Sequence, residues 1–381
     1  MGFASEDEFL SALTTGQTYR YDGSKLTTPV HTAGGWHLLA GLGGYPNATT
    51  YPGTDLQFMS CSETVGDGTT VFGIPHGGDV SPATKHLSTM SVNTVGAAGA
   101  PWHYKLVDIQ GYYRLSTTNV TGTTSRTLIN TNTFTANAGT DIITYANDWV
   151  NYTKVRFTTT TTLPAGLSLA TDYWLVRQSS TTAKVASSYA NALANTTIDI
   201  TDAGTGTHTL TIQMPRYDSG EGCDAFFVVQ TAPTLGGPTL SASDYTNTAG
   251  TTGRSFQASP TMGAAADAYA ARVLHSGNAA GRYGAFLPRH GADRGVARVN
   301  SFTWSGGTAY TGSGVVALVI ARPFADLTVP ITGMLSEREL KNQLAMLPEI
   351  KPGACLALML MGTGATTANS PVLASMQFVW N

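Results

Sequence analysis

Eight histidines come first when looking for chemistry, because imidazole is both the commonest metal ligand and the acid–base group nearest neutral pH. They are His31, His37, His76, His86, His103, His208, His275 and His290. None stands in an H-x-H, H-x₃-H or H-E-x-x-H spacing, so no single helix or strand brings two imidazoles to one face. Only a metal site assembled from distant residues stays open. The three cysteines, Cys61, Cys223 and Cys355, are far apart and include no C-x-x-C. They read as small buried apolar residues of a chain kept in a reduced compartment.

A serine nucleophile on an elbow needs G-x-S-x-G between strand and helix. The nearest run, Trp304-Ser305-Gly306-Gly307, lacks the first glycine in register. Three acids stand close together, Asp218, Glu221 and Asp224, around Ser219-Gly220 and Gly222. A pair of carboxylates across a sugar groove, or a calcium site, would use such residues. The EF-hand spacing is absent, and Asp and Gly here fit a tight turn by their backbone preferences. Gly41-Leu42-Gly43-Gly44 has no P-loop lysine, so it reads as a loop. Tyr112, Tyr113, Tyr283 and Trp304 could form a contact surface, but large aromatics more often fill a core. From the residues alone we expect no catalytic, cofactor-binding or metal site.

The elements that would position these residues are mostly strands. Ser5 and Glu8 spell a capping box for a short helix with Phe9, Leu10 and Leu13 on its apolar side and Gly16 as its stop. Short apolar runs at 71–74 and 104–109 then read as strands. Threonine dominates from about Leu115 to Pro215, with Tyr173 to Arg177 as a strand and one helical turn within Ser187–Ala194. Leu210, Ile212 and Met214 alternate with polar residues, the period of a strand with one buried face. The runs 225–229, 315–320 and 355–360 are continuously apolar, as strands buried on both faces are. A second capping box, Ser336 with Glu339, predicts a helix carrying Leu340, Leu344 and Leu347 and ending at Pro348. Ala264–His275 predicts another helix, and 376–380 a closing strand.

Composition narrows the class. Apolar residues make up 42% of the 381, enough for real cores, while charged residues are 12%, about half the usual share. Short uncharged side chains lose little rotamer entropy and carry no ionic desolvation cost when pressed against a neighbour, which suits a protein that assembles. Net charge is −3 and Lys and Arg are not clustered, so direct nucleic-acid binding is not expected. The acidic start lacks a signal-peptide pattern, and no apolar run is long enough to span a membrane.

One segment resembles a known module. Leu163-Pro164-Ala165-Gly166-Leu167-Ser168 is followed by Asp172-Tyr173-Trp174-Leu175-Val176, Ala183-Lys184-Val185-Ala186-Ser187-Ser188 and Ile198 to Gly206. Together they are similar to an add-on β domain that recurs in structural proteins of tailed bacteriophages. Gly77 to His86, His275 to Pro288 and Pro352 to Ala357 resemble a family of phage virion proteins without a described activity. The resemblance implies a tailed-bacteriophage virion structural protein with no catalytic residues to transfer. It also implies assembly in the host bacterial cytoplasm, residence in the virion, and other virion proteins (the major capsid protein, or tail or neck proteins) as partners, with homo-oligomers formed.

The expected fold class is mainly β: a β-sandwich or jelly-roll-like host domain with a few short helices, plus an inserted small β domain. The expected division is 1–114 with 217–381 as a discontinuous host, and 115–216 as the inserted Thr-rich module. The leading functional expectation is a capsid-associated decoration (cement) or head-protrusion protein. A tail, neck or adaptor component is the alternative, and a receptor- or glycan-binding virion protein is the second. Low charge predicts apolar and backbone-mediated contacts, such as strand addition at a sheet edge.

Overall fold

The computed structural model describes residues 3–26, 34–40, 44–45, 55–57, 73–80, 82–95, 101–118, 123–231, 238–261, 272–274, 284–305, 313–340, 347–364 and 370–381. Strands take up 52% and helix 6% of the described residues, so the fold is mainly β, as expected.

A central antiparallel sheet runs in the order β16 (Val273–Leu274), β14 (Asp224–Thr231), β18 (Ser313–Val329), β6 (Trp102–Thr118), β21 (Leu356–Gly362) and β2 (Trp36–Leu38), with β4 (Leu56–Gln57) also on β6. The second sheet runs β19 (Ser336–Glu339), β5 (Lys85–Thr94), β22 (Pro371–Trp380), β1 (Thr18–Leu26) and β3 (Gly44–Tyr45), with β20 (Glu349–Ile350) also on β5. The third is β15 (Thr239–Asn247), β17 (Val296–Ser305) and β7 (Thr123–Thr127).

The unbroken apolar runs follow from the central sheet being covered on both faces. Trp102, Tyr104 and Leu106 of β6, with Leu356, Leu358 and Leu360 of β21, share a core with Leu87, Met90, Met376 and Phe378 of the second sheet. Further along the same face, Ala225, Phe227, Val316, Leu318 and Ile320 pack with Leu240, Phe302 and Trp304 of the third sheet. The alternate residues, among them Val107, Ile109, Phe226, Val228, Val319 and Met359, form a separate core with Trp36, Leu38 and Ala285 on the opposite face.

The remaining strands close into a six-stranded antiparallel barrel in the order β10 (Lys154–Thr159), β11 (Asp172–Arg177), β12 (Thr182–Ala186), β9 (Ile142–Tyr145), β8 (Thr131–Asn137) and β13 (His208–Ile212). Phe134, Val155, Phe157, Leu175, Val185 and Leu210 fill it as a core of its own. Composition changes at Leu115, but the barrel begins only at Thr131. Before it, β6 continues to Thr118 against β18, and β7 lies on β17.

The first helix, α1 (Glu6–Thr14), forms on its capping box: Ser5 Oγ accepts from the Glu8 amide at 3.1 Å, and the Glu8 carboxylate accepts from the Ala4 amide at 2.7 Å. Phe9 and Ala12 are its buried residues, whereas Leu10 is 54% exposed, contrary to its expected place on the apolar side. The helical turn expected within Ser187–Ala194 is α2 (Tyr189–Leu193), capped by the Ser188 side chain.

The second capping box is not a helix start. Ser336–Glu339 is strand β19, paired in register with Val92–Thr89 of β5, and the Leu340 amide continues the ladder to Ser88 O at 2.9 Å. Leu335, just before it, is 60% exposed. A capping box is worth about 1 kcal/mol, and pairing with a buried strand while seating Leu340 in the core outweighs it. Residues 341–346 of the expected helix lie outside the described residues, as does most of Ala264–His275. Within the latter, Val273 and Leu274 form β16, where β-branched and apolar side chains pair with Phe227 and Val228.

Candidate functional site

The module-like turn has a structural cause for each of its residues. Leu163 and Leu167 are buried in the barrel core, and the Leu167 amide closes the turn on Pro164 O at 3.1 Å. Gly166 has φ +96°, and a Cβ there would meet Asp199 O at 2.5 Å. Asp202 Oδ1 accepts from the Ala165 and Gly204 amides, at 3.1 and 2.8 Å. The Ile198–Gly206 stretch is therefore clamped against the turn, and together they close one end of the barrel. His208 is held inside this arrangement, with Nδ1 2.9 Å from Thr159 Oγ1 and Nε2 3.1 Å from Ala203 O.

Where the chain leaves the barrel it enters a buried polar cluster around Arg216 and Asp108. Arg216 is 5% exposed and reaches under the central sheet. Its guanidinium makes a two-pronged pair with Asp108, Nε to Oδ2 at 2.8 Å and Nη2 to Oδ1 at 2.6 Å. It also donates to Gly353 O at 2.6 Å and Ile109 O at 2.7 Å. Asp108 is fully buried and accepts in addition from the Cys355 amide at 2.8 Å, and the Arg216 amide donates to Gln110 Oε1 at 3.2 Å. Burial alone would lower the guanidinium's pKa, but the adjacent Asp108 carboxylate raises it above the ordinary arginine value. The pair is thus a buried tie between opposite charges.

The motif residues 77–86 and 352–357 converge on the same cluster. Asp79 Oδ1 accepts from the Gly353 amide at 2.8 Å. The Lys85 ammonium donates to His76 O at 2.7 Å and to Gly78 O, and lies 5.1 Å from the Trp380 ring centre. Burial lowers its pKa to about 8. Such a cluster ties segments distant in sequence; its donors and acceptors are spent on each other.

His76, beside it, is buried, and that burial together with the nearby Lys85 charge pushes its imidazole down to about 4. In an unfolded chain the ring titrates near 6.5. Between those values the unfolded state binds more protons, so stability should fall as pH drops from about 6.5 towards 4, by at most about 1.4 kcal/mol per unit. Urea midpoints across that window check it: His76→Gln should flatten the slope, and an unchanged slope would assign it to other groups.

The three acids of the re-entry turn are drawn apart, each to its own cation. Asp218 accepts from Lys154 of the barrel at 2.9 Å, and Lys154 also pairs with Asp172 at 2.7 Å, which in turn holds Arg156. Glu221 lies 3.6 Å from Arg294, and Asp224 lies 3.2 Å from Arg289. Burial raises the Asp224 carboxyl above the ordinary range, with Arg289 opposing. The turn itself has left-handed residues at Tyr217, Ser219, Gly220 and Gly222. Sequence reasoning identified the turn but missed Lys154, whose link to it depends on the pairing of β10 with β13, the strand that leads into the turn.

The other candidates are dispersed. No group of three His, Cys, Asp or Glu able to hold a metal occurs among the described residues. His37 and His86 are buried against backbone carbonyls, and His103 sits beside Thr328. His290 stands 3.3 Å from Arg254 Nη1. His31, His275, Cys61, Tyr283 and residues 41–43 lie outside the described residues. Cys223 and Cys355 are buried and in no disulfide, and burial pushes the Cys223 thiol up to about 12, as an inert apolar residue. Ser305 ends β17 opposite Thr239 and Thr123, with Trp304 and Tyr112 buried in cores and Tyr113 packed against one. No described helix is long and apolar enough to cross a membrane. No known protein family matches the chain, and no curated protein is significantly similar to it.

Proposed function

We propose that the chain is a non-enzymatic structural component of a tailed-phage particle, a capsid-associated decoration or head-protrusion protein. In this reading the three-sheet body holds the particle and the barrel is a separately folding module carried outward from it. The observation that carries the reading is the barrel itself. It closes on its own core within residues 131–212, and its two ends meet at one point, where the Ile212 amide donates to Asn130 O at 2.8 Å. A unit attached through adjacent ends can be displayed without disturbing its carrier. The low charge, and the ties that hold Asp79, Asp108, Asp218, Glu221, Asp224 and His208 within the chain, favour a scaffold in many copies over a reactive site.

Copy number in purified particles tests the assignment. Decoration or protrusion requires hundreds of copies per particle, whereas a neck or tail ring requires about 6 to 12, as closed rotational symmetry dictates. Quantitative mass spectrometry against the major capsid protein separates the two. The module is tested by expressing residues 129–213 alone. The fragment should unfold in one cooperative urea transition with a stability of about 4–13 kcal/mol, the range for its size. A fragment without a cooperative transition would remove the barrel as a separate domain.

A further inference from the structure

We propose that β7 is the contact through which two copies of this chain join, edge to edge, into a two-fold dimer with one continuous sheet. β7 ends the third sheet, with β17 on one side and no strand on the other among the described residues. The Leu128 amide donates to Asn300 O at 2.7 Å, and the register continues with Arg126 opposite Phe302. Antiparallel hydrogen-bonded pairs alternate, so positions 124 and 126 point their backbone groups at β17. Positions 123, 125 and 127 point theirs outward. Ser125 and Thr127 are exposed, and Ile129, just beyond, is 54% exposed.

Self-pairing is favoured here by sequence and geometry. A two-fold axis normal to the sheet and centred on Ser125 sets Ser125 against Ser125 and position 123 against position 127. Arg126 then pairs with position 124 and not with a second Arg126, so no like charges meet. The end strand of the second sheet gives the contrast. β19 reads Ser336-Glu337-Arg338-Glu339. Centring a two-fold on Arg338 sets arginine against arginine and Glu337 against Glu339, and centring it on Glu337 sets glutamate against glutamate. Charge thus guards β19 against self-pairing and leaves β7 available. The resulting order is β15-β17-β7-β7-β17-β15.

The inference extends the assembly reading by naming one contact. A chain that dimerises through β7 but is missing from particles would leave it standing and sink that reading. Cysteine cross-linking of the full chain tests the register. In a hydrogen-bonded pair the two Ser125 Cα atoms lie about 5.5 Å apart, within disulfide reach. Two copies of position 127 are separated by about 13 Å along the strand. Under mild oxidation Ser125→Cys should form covalent dimer at least about tenfold faster than Thr127→Cys, with the wild-type chain as background and sedimenting as a dimer. Equal rates for the two variants, or a wild-type chain that sediments as a monomer at tens of micromolar, overturn the proposal.

Discussion

Replacing Arg216 with alanine should destabilise the body by about 3–5 kcal/mol, because it leaves the Asp108 carboxylate buried with no counter-charge. The loss also strips hydrogen bonds from Gly353 O and Ile109 O, which lie in or beside the strands that carry the central sheet. Asp108→Asn should cost a similar amount, since it leaves the Arg216 guanidinium buried with no counter-charge, although the amide oxygen can still accept from the Cys355 amide. The double variant Asp108→Leu with Arg216→Met removes both charges together. It should recover much of the loss, as buried ion pairs replaced by apolar residues often do, but stay about 1–3 kcal/mol below wild type because the Cys355 amide is orphaned. Chemical unfolding of the four proteins checks this. An Arg216→Ala chain as stable as wild type would mean that the pair is not the tie described.

Gly220→Ala should cost about 2–5 kcal/mol, the sum of a left-handed backbone forced on a residue with a Cβ and a close packed contact. Gly220 has φ +72°, and an added Cβ would come under 3 Å from the Val296 carbonyl and the Ala297 Cα. Gly295 faces the Gly220 carbonyl just as closely from the other side. The turn that carries Asp218, Glu221 and Asp224 is therefore pressed onto the start of β17, between body and barrel. Gly250→Ala is the control: its φ is +79° but nothing stands within 4 Å, so only the backbone share, about 1–2 kcal/mol, is expected. Thermal or urea unfolding of the two variants measures the difference, and equal losses would show that crowding at Gly220 is absent.

Much of the fold was legible because its strongest signals are periodic. Continuous apolar runs at 225–229, 315–320 and 355–360 mean strands covered on both faces, and the central sheet is made of them. Leu163 to Leu167 was legible as a turn because Pro and Gly have few uses elsewhere. Ser336–Glu339 was misread because a local capping signature says nothing about a strand waiting to pair. Leu10 was misplaced because a helix of nine residues turns only a narrow face to its core. The Asp108–Arg216 pair could not be seen at all. Its partners are 108 residues apart, and one lies within a run that reads as an ordinary strand. One signal could have raised suspicion: a charged residue at Asp108, inside the apolar run 104–109, must be paired if buried.

The assembly reading itself is tested most directly by a cryo-EM map of the purified particle. The three-sheet body should lie against the particle surface, with the barrel of residues 131–212 on the solvent side, joined through the Arg216 cluster. A particle without this chain, or one in which the barrel is buried and the body faces solvent, would contradict it.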